Sequence, residues 1–243
     1  MSPRSEAESS PDRGNVNARE ATLPLVTWEE HAEREEARYA DALERMPEEP
    51  DPRQKQLVRA AMAAGGAGLA RLMQGRRAEA VGWLGRSAER YRESWQDAPP
   101  ESWGRLIGAV KARVLAGDRE GAEADARWTL EQGPAAAGSP VALYAATLAE
   151  LVLGEDGDAA PLATRLLAGS GDAFPADVAE ALGALAASDA SGYAAACASV
   201  LASFESREAY LEDIPVADTV IVLEALAEPR GIAARPRSDL LPT

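Results

Sequence analysis

The chain is poor in the residues that carry most protein chemistry. Its 243 residues include one cysteine, Cys197, and one histidine, His31. A lone cysteine excludes an intrachain disulfide. With a lone histidine beside it, the usual ligand set of a transition-metal site is missing, so no metal and no cofactor is expected. Lysine is nearly absent: only Lys55 and Lys111 occur, and the other cations are arginine. Aromatic residues make up 5% and β-branched residues are sparse, which argues against sheets. No apolar run approaches the roughly 18 residues that a membrane-spanning helix needs. No N-terminal stretch resembles a secretory signal, so a cytoplasmic location is expected. Positive charge is also short. The net charge is −15 and the isoelectric point is about 4.6. Such a chain repels phosphate backbones, which excludes general nucleic-acid binding.

What the chain has is alanine. Hydrophobic residues make up 46% of it, much of that alanine, the strongest helix former. The expected fold class is all-α, with closely packed helices. Arginine and alanine excess with acidity fits either a salt-loving host or a high-GC genome. Residues 1 to 22 are polar and lack a periodic apolar face, so they read as a disordered tail. Residues 23 to 243 read as a single helical domain.

Local signals mark the helices. Thr27 and Glu30 form a capping-box pattern, opening a helix to about Met46. Pro47, Pro50 and Pro52 are expected to break the chain, with a second helix from about Arg53 to Gln74. Gly65, Gly66 and Gly68 weaken that helix unless another backbone approaches closely. A third helix follows Gly75-Arg76-Arg77, with Leu84, Ala88, Tyr91 and Trp95 on its core stripe. Pro99 and Pro100 open the fourth, Gly117 ends it, and Asp118 caps the fifth, which runs to about Gln132. Ser139-Pro140 opens a central helix that is apolar almost all round to Leu153. Further helices are expected to about Ala168, over Pro175 to Ala187, from Asp189 through Phe204, and from Pro215 to Pro229. The Thr219 to Val222 run is read as buried helix, because Asp218 and Glu224 do not alternate as a strand requires.

An apolar helix end, a small residue, a polar turn and early alanines recur at Leu72 to Ala80, Leu115 to Ala122 and Leu153 to Ala160. A degenerate copy spans Leu185 to Ala194. The turns lie roughly 30 to 40 residues apart, the length of one helical hairpin. Stacked antiparallel hairpins similar to tetratricopeptide-like repeats are therefore expected, the alternative being an irregular bundle.

Catalytic patterns are scarce. His31 and Glu35 share a helix face, but two ligands do not make a metal site, and the stretch reads as a solvated face. Cys197 lies on an alanine-rich apolar stripe and reads as core. Gly65 to Gly68 lacks the Lys-Ser or Lys-Thr of a phosphate loop. Glu155, Asp156 and Asp158 lack the spacing of a calcium loop. An enzyme is not expected. The remaining feature is a concentration of tryptophan and arginine in the middle third. Trp83, Arg86 and Arg90 are expected to project outward beside the third helix's core stripe, with Arg127 and Trp128 as further interface candidates. The alternative is that the tryptophans fill gaps between alanine-rich helices.

In the last third, small residues from Gly183 lead to a Ser188-Asp189 turn, and Tyr193 then starts an apolar helix to Phe204. Another apolar helix over Val216 to Ala227 leads into Glu228-Pro229-Arg230-Gly231-Ile232, and the chain closes with Asp239-Leu240-Leu241-Pro242. This order resembles the C-terminal half of the immunity protein 49 family of polymorphic-toxin systems, over residues 100 to 243. The resemblance implies a helical protein that binds and neutralises a toxin, with no catalytic residue to carry over. A protein partner is therefore expected, such as a basic toxin meeting an acidic concave surface. The alternative is a scaffold or regulatory adaptor unrelated to toxins.

Overall fold

A computed structural model describes residues 27–171, 174–210 and 213–243. The tail expected over residues 1 to 22 lies outside them. The described residues form eleven helices: α1 (Trp28–Glu44), α2 (Pro50–Met73), α3 (Arg77–Trp95), α4 (Gly104–Ala116), α5 (Arg119–Glu131), α6 (Pro134–Ala137), α7 (Pro140–Leu153), α8 (Asp156–Ala168), α9 (Ala176–Ala186), α10 (Ala190–Glu205) and α11 (Asp218–Ala227). A 3₁₀ turn, Glu228–Arg230, follows. Among the described residues there is no strand, only an isolated bridge between Gly171 and Phe174. The Thr219 to Val222 run is helical.

Most boundaries follow from local chemistry. The Thr27 hydroxyl accepts the Glu30 amide at 3.2 Å, while the Glu30 carboxylate accepts the Thr27 amide at 2.7 Å. Gly117 and Gly154 end α4 and α7 with φ of 70° and 79°, a left-handed region that favours glycine. Asp118, Ser139 and Asp189 each accept amide hydrogens from the first turn of the helix they open.

Four expectations need correction. Pro50 and Pro52 do not end a segment; they lie in the first turn of α2, where the amide hydrogens have no intrahelical acceptor and proline loses nothing. Pro99 does not open α4. A turn intervenes in which the Ser102 hydroxyl donates to the Pro99 carbonyl, and α4 starts at Gly104. Nor does Pro215 open α11. The Ala217 amide donates to the Leu240 carbonyl, so the preceding segment is tied to the C-terminal stretch and the helix begins at Asp218. The close approach at the α2 glycines is made mainly by side chains: a Cβ at Gly68 would stand 2.6 Å from Cγ of Leu84, with the Leu84 backbone nitrogen at 3.3 Å.

Each helix packs against the next as an antiparallel hairpin, with the one-turn α6 as a spacer between α5 and α7. In addition α7 touches both α4 and α9, so these three lie side by side, and α11 lies against α4, α9 and α10. One apolar cluster runs from Leu72 in α2 to Ala227 in α11. Helix α7 is its centre, buried from Ala142 through Ala149 and at Leu151. A smaller cluster gathers Trp103, Leu106 and Ala142, with Trp95 and Trp128 against it. Buried charge fastens the N-terminal hairpins. Arg71 of α2 is 4% exposed and donates to Glu29 at 2.8 Å and to Glu36 at 2.7 Å, both on α1. Asp125 of α5, 2% exposed, pairs with Arg92 of α3 and with Arg113 of α4.

Candidate interaction surface

Helix geometry divides the tryptophan and arginine candidates. Trp83, Arg86 and Arg90 are spaced i, i+3 and i+7 and share one face of α3. Arg92 is nine residues beyond Trp83. At about 100° per residue that is half a turn out of phase, on the opposite face. The structure therefore forms two patches where the sequence suggested one.

On the first face Trp83 is partly buried. Its ring meets Tyr39 of α1 edge-on, with centroids 5.5 Å apart and an interplanar angle of 85°. The exposed Arg86 guanidinium stacks over the same indole, its Cζ 4.4 Å from the ring centroid. This unit is apolar at its base and cationic at its rim. Arg90 does not project outward as expected. It pairs with Glu93, and Glu93 in turn accepts from Arg53 of α2 at 2.7 Å. Arg90 thus belongs to a clamp between α2 and α3, and its buried Nε lacks a hydrogen-bond partner in the structure.

On the second face Trp128 of α5 meets Trp95 edge-on at 6.2 Å, and Arg92 covers it with Cζ 4.5 Å from the ring centroid. The Trp95 indole donates to the Gln132 side chain at 3.1 Å. A 380 Å³ hollow borders Trp95 and Trp128, with Glu89, Glu93 and Gln96 around it. Arg127 is adjacent in sequence but lies to the side, with its side chain 62% exposed and paired to Glu123 at 3.1 Å. Tyr39 and Arg92 were missed in the sequence. Arg92 was detectable as the arginine out of phase with the first face. Tyr39 was detectable as an aromatic residue in the charged helix α1.

The His31 stretch is not the solvated face the sequence suggested. His31 is 7% exposed and Glu35 is fully buried. Glu35 is accommodated because Gly66 opposite it has no side chain, and because Arg34 and Arg38 each donate to it at 2.9 Å. Burial, with a smaller contribution from Arg34, holds the His31 imidazole below its ordinary pKa, against the opposing pull of Glu35, Asp213 and Glu30. Cys197 is buried, as its apolar stripe suggested. Burial pushes its thiol pKa up to about 11, and the neighbouring Glu224 carboxylate adds to the rise. Such a thiol is a poor nucleophile at neutral pH. Glu224 instead accepts from the Tyr193 hydroxyl at 2.7 Å and from the amides of Ala234 and Arg235 at 3.0 and 2.6 Å, which pins the C-terminal stretch to α11. Among the described residues no three His, Cys, Asp or Glu side chains are grouped to hold a metal ion, and no helix is long and apolar enough to cross a membrane.

Comparison with family models, curated proteins and solved structures finds no match to this chain.

Proposed function

We propose that this chain is a non-catalytic protein-binding protein of the cytoplasm, and that it acts as an immunity protein, neutralising a basic toxin by covering its working surface. The observation that carries the binding reading is the Tyr39–Trp83–Arg86 unit, an indole held edge-on by tyrosine and capped by a guanidinium at 4.4 Å. Tryptophan, tyrosine and arginine are the residue types that dominate binding hot spots. The toxin reading rests on the family resemblance of residues 100 to 243. The net charge of −15 supports a basic partner, since it speeds encounter with one and disfavours acidic competitors. Hairpin repeats stacked on one another would present such side chains on a rigid frame.

The test is co-expression with the toxin-like product of a neighbouring gene under an inducible promoter. Growth arrest should be relieved by the chain and restored by Arg86→Ala, with the variant still folded. If the chain captures that product in neither cells nor purified form, and instead assembles with kinases or regulators encoded nearby, the adaptor reading replaces the immunity reading.

A further inference from the structure

A second site is centred on Lys111, one of only two lysines in the chain. On α4 the spacing of Ile107, Gly108, Lys111, Ala112 and Leu115 turns one face toward a cavity of 240 Å³. Met62 and Leu69 of α2 form another wall, and Phe204 and Val216 help to close it. A cavity of about 150 Å³ with apolar walls takes benzene. By that measure this one takes a longer chain or a double ring, about eight carbons.

The polar groups at the cavity edge are incompletely matched. The Lys111 side chain is 16% exposed. Its ammonium donates to Asp218 at 2.6 Å and to Thr219 at 3.1 Å. An ammonium has three hydrogens, so one is left over. Lys111 also borders a second, smaller cavity of 140 Å³, and Phe204 and Arg207 line both. Arg207 lies with its Cζ 3.6 Å over the Phe204 ring, and no carboxylate among the described residues pairs with it. Lys111 and Asp218 neutralise one another. Asp177, at the mouth of the smaller cavity, accepts the Val178 amide in the first turn of its own helix. Asp177 keeps its negative charge, so the four charges around the two cavities sum to zero; of the two cations only Arg207 has no carboxylate partner among the described residues, and it suits a single negative charge better than a double one.

We propose that this cleft binds a small apolar carboxylate, its hydrocarbon body filling the cavity between α2 and α4 and its carboxylate taking the spare hydrogen of Lys111 and the guanidinium of Arg207. The site is separate from the Trp83 patch and does not depend on the protein-binding reading.

The experiment is calorimetric titration of the full chain with octanoate, its neutral analogue octanamide, and acetate. Thermal melting of each variant checks the fold. Octanoate should bind once per chain, octanamide at least tenfold more weakly, and acetate not measurably. Arg207→Gln changes an exposed side chain and should weaken octanoate about tenfold with the melting temperature unchanged. Ala112→Leu puts a side chain into the cavity and should abolish binding. Equal affinity for octanoate and octanamide, or undiminished octanoate binding by folded Arg207→Gln, would overturn the proposal. So would the absence of saturable binding in the native chain, or several equivalent octanoate molecules per chain that survive both substitutions.

Discussion

The Trp83–Arg86 contact allows stability and binding to be separated in a double-mutant cycle. An edge-on aromatic pair is worth about 0.5–1.5 kcal/mol and an exposed cation–π contact about 0.5–1 kcal/mol. Trp83→Ala loses its contacts with Tyr39 and Arg86 together with part of its apolar burial. The expected cost is about 2 kcal/mol, or roughly 4–8 °C in melting temperature for a chain of this size. Arg86→Ala loses only the stacking, and alanine suits a helix, so the cost should stay within about 1 kcal/mol. The coupling of the two in stability should be about 0.5–1 kcal/mol. Against the partner the ranking changes. An anchor arginine costs about 2 kcal/mol or more on truncation, roughly thirtyfold in affinity, although its removal barely alters the fold. Chemical denaturation and surface-binding measurements on the four proteins give both cycles. The reasoning fails if Arg86→Ala binds within threefold of the native chain. It also fails if Trp83→Ala costs more than about 4 kcal/mol with no coupling to Arg86, which would make the tryptophan a core residue.

The other predictions concern the frame and its response to pH. Arg71→Met should destabilise the chain by about 2 kcal/mol in chemical denaturation, because Glu36 loses its partner in a partly buried setting; a change under 0.5 kcal/mol would show that the α1–α2 clamp is idle. Gly68→Ala gains up to about 1 kcal/mol of helix propensity but drives a Cβ to within 2.6 Å of buried Leu84, so a net loss of about 1–2 kcal/mol is expected. Gly82→Ala meets no heavy atom within 4 Å and should stabilise by about 0.5–1 kcal/mol; if both glycine variants move stability the same way, the packing argument is wrong. The depressed pKa of His31 means that the unfolded chain takes up a proton first as pH falls. Its contribution is present above its ordinary value near 6.5 and is lost as pH falls from there through the lower folded value. His31→Gln should flatten that part of the stability–pH curve, and an unchanged slope would remove histidine as its cause.

The parts of this fold that were legible are those set within a few residues. Asp118, Ser139 and Asp189 are caps because each sits one residue before a helix and its side chain reaches amides two or three residues ahead. The apolar circumference of α7 and the stripe through Cys197 follow from periodicity alone, and both are buried. The α2 prolines and the Pro99 turn were misread although their causes are local, whereas two further misreadings arise where distant chain decides. The start of α11 depends on a bond from Ala217 to Leu240, and the burial of Glu35 depends on the missing side chain at Gly66. Nothing local distinguishes those positions. The opposition of Trp83 and Arg92 is different, since counting residues around α3 would have shown it.

The same long-range contacts bear on where a partner docks. An acidic concave surface is the simplest expectation for stacked hairpins, but α11 already lies across α4 and α9, and its first residue, Asp218, is bonded to Lys111 of α4. A partner entering there would have to displace a helix whose Val220, Val222, Leu223 and Leu226 are buried. Burying even one such side chain is worth about 1.5–3 kcal/mol, so displacing four would use most of the binding energy of an ordinary interface. The Tyr39–Trp83–Arg86 unit lies on α1 and α3, away from the α11 contacts, and needs no such opening. Occlusion through that face is therefore compatible with a frame that stays closed. Hydrogen exchange of the complex distinguishes the two modes: protection should rise on α1 and α3 and stay unchanged on α11. Loss of protection on α11 when the partner binds would instead place the contact at α11 and remove the α1–α3 face from the account.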